Sequence, residues 1–173
     1  MNRGRLTDSD NTKSREVNVK LGEVLRKERE RKKFSLEDTA EKLGLSSEEY
    51  GEVEVGNSPA EAAGPLLANV AIQLETPTSR LLAESGKSAD CKPGQAATLI
   101  KGHRERRGKT VEQMAEGIGI PVEDYLKIEA GESDIEVWGP RFLRFAELIE
   151  QPVFNLFYPF GLPLDKLTVE DYR

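Results

Sequence analysis

Apolar residues recur along this chain at the three- and four-residue spacing of amphipathic helices, and residues that start or stop helices punctuate them. From position 21, Leu21, Val24 and Leu25 share one face and a run of charge follows. Ser35, with Asp38 three residues on, opens a second helix in a variant of the capping box; Leu36, Ala40 and Leu43 form its inward face. Gly44 closes that helix, since glycine turns left-handed at little cost. Ser46 with Glu49 caps a third helix, with Tyr50 and Val53 inward and Gly56 at its end. The pattern predicts a fourth helix starting at Pro65 and burying Leu67, Val70, Ala71 and Leu74. A short fifth starts at Pro77 and holds Leu81 and Leu82.

The whole pattern returns 75 residues later. "RERKKFSLEDTAEKLGLSSEEYGEVEVGNS" (29–58) lies over "RERRGKTVEQMAEGIGIPVEDYLKIEAGES" (104–133) without a gap. Thr110 and Gln113 repeat the cap, Gly64 and Pro65 meet Gly139 and Pro140, and Pro77 meets Pro152. Phe142, Phe145, Ile149, Leu156 and Phe157 fill the inward positions of the second copy. Residues 21–82 and 96–157 are therefore two copies of one helical module, and the chain is expected to be all-α. The boundaries that follow are a flexible arm at 1–18, a first module at 19–83, a Gly/Ser/Pro linker at 84–95, a second module at 96–160 and a tail at 161–173. Most aromatics lie beyond residue 134, Trp138 among them. They give the second module a larger core, or they form an apolar contact surface between modules or chains.

The stretches "SLEDTAEKLGLSSEEYGEVEVG" and "TVEQMAEGIGIPVEDYLKIEAG" resemble the phage-repressor helix-turn-helix family, also called XRE or Cro/cI-like. Ala40, Gly44, Tyr50, Val53, Glu54 and Gly56 fall where that family has its small turn-packing residue, turn glycine, buried pair, glutamate and closing glycine. The resemblance implies two tandem five-helix lambda-repressor-like helix-turn-helix modules joined by a short linker. It also implies a transcription regulator that binds duplex DNA, with the two modules as a built-in pair over two half-sites. The family's base-reading positions map onto Ser47, Glu48 and Glu52 in the first copy and Val122, Glu123 and Lys127 in the second. An arginine near the end of the first helix pairs, in that family, with the glutamate before the closing glycine. Arg29 and Glu54 hold those places here, and Arg104 and Glu129 repeat them.

Charge complicates the DNA reading. The net charge is −6, and residues 44–63 hold five acids and no base. Residues 110–136 hold eight acids and one base. Glutamate only accepts hydrogen bonds, whereas base reading relies mostly on Arg, Lys, Asn and Gln donors. Affinity for duplex DNA comes largely from neutralised phosphates, and each close carboxylate–phosphate pair repels by about 1 kcal/mol even in water. Basic charge collects elsewhere: eleven Lys/Arg against six acids in 1–33, and six against one in 92–109. Lys32, Lys33, Arg107 and Lys109, just ahead of each second helix, are the candidate phosphate contacts. The competing reading is a protein-binding regulator, of antirepressor or antiactivator kind, whose acidic helices meet a basic protein partner. Modules positive at one end and negative at the other also suit stacking on their twin, within the chain or in a homodimer.

Other chemistry is sparse. Cys91 is the single cysteine and His103 the single histidine, so neither an intrachain disulfide nor a thiolate zinc site is available. No catalytic constellation and no metal or cofactor motif is visible, so we expect no enzyme. No apolar run approaches the ~18 residues of a membrane span and no signal peptide is seen, which predicts a cytoplasmic protein.

Overall fold

The computed structural model describes residues 20–153 and residue 156. The arm at 1–18, the tail at 161–173 and the fifth helix expected in the second repeat lie outside the described residues. The fold is all-α. In chain order the described helices are α1 (Leu21–Arg31), α2 (Leu36–Leu43), α3 (Ser47–Glu54), α4 (Ala60–Leu74) and α5 (Thr78–Leu82). They are followed by α6 (Gln95–Arg106), α7 (Val111–Ile118), α8 (Val122–Glu129) and α9 (Asp134–Leu148). Helices α2 and α7, like α3 and α8, start and end at positions 75 apart.

The local signals act as the sequence predicts at most ends. The Ser35 hydroxyl accepts from Asp38 N at 3.0 Å, and complete capping boxes form at Ser46/Glu49 and Thr110/Gln113. Gly44 and Gly119 take left-handed φ of 73° and 89°. The fourth helix differs from expectation. It starts at Ala60, and its counterpart α9 at Asp134, leaving Pro65 and Pro140 inside. The starting signal is an upstream serine: the Ser58 Oγ accepts from Ala60 N at 3.0 Å and the Ser133 Oγ from Ile135 N at 3.2 Å. Each serine satisfies one of the free N–H groups at the helix start.

The two repeats share one continuous core. Among the described residues the most extensive helix contact is α4 on α9, the fourth helices of the two repeats. Further contacts across the seam come in related forms: α4 packs on α7 of the second repeat, and α9 packs on α2 of the first. Helix α5 packs on α6, the opening helix of the opposite repeat. Gly139 of α9 lies so close to Leu82 of α5 that an added Cβ would sit 2.4 Å from the leucine Cδ2. Trp138, Arg141, Phe142 and Phe145 of α9 line one small gap with Leu25, Leu43, Tyr50 and Val53 of the first repeat. The aromatics at the start of the second repeat's aromatic-rich region are thus a contact surface between repeats. The intervening segment is tied down as well. Ser88 N donates to Glu147 of α9 at 2.9 Å, and Cys91 Sγ lies 3.5 Å from the Leu82 carbonyl.

Each repeat therefore packs its fourth helix against its twin as well as against its own first helix, as in a two-fold dimer, but within one chain. The polar seam follows the same operation. Lys32 Nζ lies 3.7 Å from the Glu150 carboxylate, and Arg107, 75 positions after Lys32, donates to the Glu75 carbonyl at 3.3 Å.

Candidate functional site: the third-helix faces and their surroundings

Each third helix is held to its first helix by a forked ion pair. Arg29 Nε and Nη2 donate to Glu54 at 2.6 and 3.1 Å, and Nη1 donates to the Phe34 carbonyl at 2.9 Å. Arg104 does the same to Glu129 at 2.6 and 3.0 Å, and to the Lys109 carbonyl at 2.9 Å. The side chains are only 6–12% exposed. Hydrogen bonding to the carboxylate raises both guanidinium pKa values. The Tyr125 hydroxyl adds a third donor to Glu129 at 2.5 Å, and the Tyr50 hydroxyl is buried beside Glu54. These pairs fix which face of α3 and α8 turns outward.

That outward face carries the positions the resemblance makes base-reading: Ser47, Glu48, Glu52, Val122, Glu123 and Lys127 are all exposed. Around them Glu49, Glu112, Glu116, Asp124, Glu132 and Asp134 are exposed too. Glu49 is held below the usual carboxylate range, first by the Ser46 backbone N–H and then by the Ser46 hydroxyl. Apolar surface interrupts the acids: Leu126 is 48% exposed one turn beyond Val122, with Val55 at 59% and Val137 at 52%.

Two of the acids counted against DNA binding have an internal task that their sequence positions did not reveal. Glu61 accepts from Leu21 N at 3.0 Å and Gly22 N at 2.7 Å; Glu136 accepts from Gly94 N at 3.1 Å and Ala97 N at 2.6 Å. In both repeats, then, a carboxylate of the fourth helix closes the N-terminus of the first, where bare N–H groups and the helix dipole favour negative charge. The signal was the 75-residue repetition of the glutamate itself.

Three of the four candidate phosphate contacts are engaged at the seam. Lys32 faces Glu150. Arg107 bonds the Glu75 carbonyl and Thr76 Oγ1, the latter at 3.0 Å. Lys109 Nζ donates to the Gln73 carbonyl. Lys33, with a left-handed φ of 63°, is exposed. Leu36 and Val111, which open the second helices, are half-buried.

Among the described residues, no cluster of three or more His, Cys, Asp or Glu side chains is arranged to hold a metal ion, and no helix is long and apolar enough to cross a membrane. Compared with known proteins, the chain matches no family model, no curated protein and no solved structure.

Proposed function

We propose that this chain is a regulatory protein of the phage-repressor-like helix-turn-helix type, built as an intramolecular pair of modules, whose third helices dock on a basic protein surface instead of entering a DNA groove. The observation that carries this reading is the charge at the outward face. Glu48, Glu52 and Glu123 are exposed at the base-reading positions against a single cation there, Lys127, while Lys32, Arg107 and Lys109, three of the four candidate phosphate contacts, are bonded elsewhere in the same chain. A carboxylate set between two rows of phosphates loses energy, whereas the same carboxylate opposite lysine and arginine gains encounter rate and specificity. The exposed Val122 and Leu126 fit a protein surface, which offers apolar area, better than a phosphate backbone.

Amide NMR with two titrants tests the reading. A lysine- and arginine-rich peptide is expected to shift the amides of α3 and α8, and the triple substitution Glu48→Gln, Glu52→Gln and Glu123→Gln to weaken that effect about tenfold or more. Duplex DNA of mixed sequence is expected to leave those amides in place. Shifts at α3 and α8 with duplex, and none with the peptide, overturn the proposal.

A further inference from the structure

The duplication lets the two outward third-helix faces be compared position by position. Ser47, Gly51 and Val55 of the first repeat correspond to Val122, Leu126 and Ala130 of the second. The latter three stand four residues apart along α8 and its C-cap, so they form one apolar ridge. All three are exposed, Leu126 to 48%. On α3 the first two places of that ridge are empty of apolar bulk: Ser47 is a hydroxyl, and a Cβ added at Gly51 meets nothing within 4 Å. The inward residues do match, Tyr50 with Tyr125 and Val53 with Ile128, and all four are buried. The core is therefore built in the first repeat without an outward apolar pair, and Val122 and Leu126 are not required by it. Their surroundings carry one sign of charge. Of the eight acids within residues 110–136, Glu129 is held by Arg104 and Glu136 by the start of α6, while Glu112, Glu116, Glu123, Asp124, Glu132 and Asp134 are exposed. Lys127 is the single Lys or Arg in that span.

We propose that the outward face of α8 is the docking site for a cationic amphipathic helix of a protein partner, and that the corresponding face of α3 is not. This rests on the protein-docking reading of the third helices and specifies the partner and the helix that anchors it. A ridge of side chains four residues apart fits the groove between two such ridges on another helix, so Val122, Leu126 and Ala130 select a helical partner with apolar residues at three- and four-residue spacing. The exposed acids around the ridge select lysine and arginine on the flanks of that helix. A second copy of this chain is a poor occupant, because it sets the six exposed acids of one copy against the same six of the other. The same sign of charge disfavours nucleic acid and an anionic lipid surface at this face. Burial of Val122 and Leu126 supplies the part of the affinity that salt does not screen, and the acids supply the part that it does.

The test uses the full chain, amide NMR titration and two synthetic lysine-rich peptides of equal length and charge. One carries leucine at the spacing of an amphipathic helix; in the other those leucines are serine. The leucine peptide is expected to saturate α8 at one peptide per chain before α3 responds, and to bind about tenfold or more tighter than the serine peptide, which acts weakly on both helices. Val122→Ser with Leu126→Ala is expected to abolish that difference and, because both side chains are exposed, to leave thermal melting nearly unchanged. Lys127→Glu is expected to tighten the leucine peptide about threefold at low salt. Ser47→Val with Gly51→Leu is expected to give α3 a second site that fills alongside α8. Leucine and serine peptides that act alike on both helices overturn the proposal and leave the docking reading standing, whereas peptides that shift neither helix overturn both. A leucine peptide that keeps its advantage on the Val122→Ser, Leu126→Ala chain overturns the proposal, as does an α3 left unresponsive by the transplanted pair. A chain that light scattering shows to be dimeric, and monomeric with Val122→Ser and Leu126→Ala, makes a second copy the occupant and overturns it too.

Discussion

Arg104 and Glu129 meet through two parallel hydrogen bonds of 2.6 and 3.0 Å, in the same geometry that joins Arg29 to Glu54 one repeat earlier. Both pairs are largely shielded from water, so the interaction is a desolvated fork rather than a surface contact. Removing one partner strands the other charge. Arg29→Ala and Arg104→Ala are each expected to cost about 3 kcal/mol, read as a shift in urea midpoint. Replacing Arg29 and Glu54 together by apolar residues of similar size is expected to cost less than Arg29→Ala alone. An equal or larger loss would show that the fork stabilises the fold beyond what its own desolvation costs.

Gly22 shows where the repeats differ in packing. A Cβ at Gly22 would lie 2.1 Å from the Val53 carbonyl oxygen and 2.6 Å from that of Glu54, so α1 lies almost directly on the end of α3. Backbone oxygens cannot swing aside as a side chain can. Gly22→Ala is expected to force the two helices apart and to lose about 2 kcal/mol or more in thermal or urea unfolding. The second repeat carries Ala97 at the same place, buried, and tolerates it. Ala97→Gly is therefore expected to act differently, losing only about 1 kcal/mol through helix propensity.

Much of this arrangement was legible in the sequence, because it rests on local chemistry. The caps at Ser35, Ser46 and Thr110 and the turn at Gly44 depend on residues within four positions of each other; the Arg–Glu fork, 25 residues apart, was expected only from the resemblance to the helix-turn-helix family. What was hidden is long-range. Lys32 meeting Glu150 and Arg107 meeting Glu75 depend on how two repeats are laid together, and no periodicity within one repeat encodes that. Glu61 looked like one more surface acid because its partners are backbone N–H groups about 40 residues earlier, and a sequence does not display them as special. Pro65 misled for a related reason: proline marks a first helical turn on average, but here another proline, Pro59, stands at the helix entry, with Ser58 Oγ accepting from Ala60 N, and Pro65 falls inside the helix.

The buried phenols set an alkaline limit. Tyr50 and Tyr125 are fully buried, and their hydroxyls are pushed above the ordinary value of 10.0, first by burial and then by the adjoining Glu54 and Glu129. Folded chains keep both protons where unfolded chains begin to lose them. Their contribution to stability is complete below about pH 10 and falls as pH rises beyond it. The expected slope approaches about 1.4 kcal/mol per pH unit for each tyrosine. Urea unfolding between pH 9 and pH 11 measures it, and phenolate absorbance assigns it: neither tyrosine is expected to ionise before the protein unfolds. Hyperchromicity from Tyr50 or Tyr125 in the still-folded chain would contradict the burial argument.

The packing of each fourth helix on the opposite repeat has a consequence for dissection. In a chain cut within residues 84–95, the first half keeps α4, whose residues Leu67, Ala68, Ala71 and Leu74 are buried in the intact protein, but loses the α9 and α7 surfaces that α4 packs on. It also loses α6, on which α5 rests. The second half keeps Trp138, Phe142 and Phe145 and loses the first-repeat residues Leu25, Tyr50 and Val53 around them. Apolar faces of that kind are not stable in water by themselves. Each half expressed alone is expected to be unfolded or to self-associate, either by aggregation or by taking a second copy of itself in place of its twin. The two halves expressed together are expected to copurify as a one-to-one complex with the far-UV CD of the intact chain. Size-exclusion chromatography with light scattering separates these outcomes. A first half that is monomeric and melts cooperatively would mean that the repeats fold as separate units and that the shared core adds little to the stability of either.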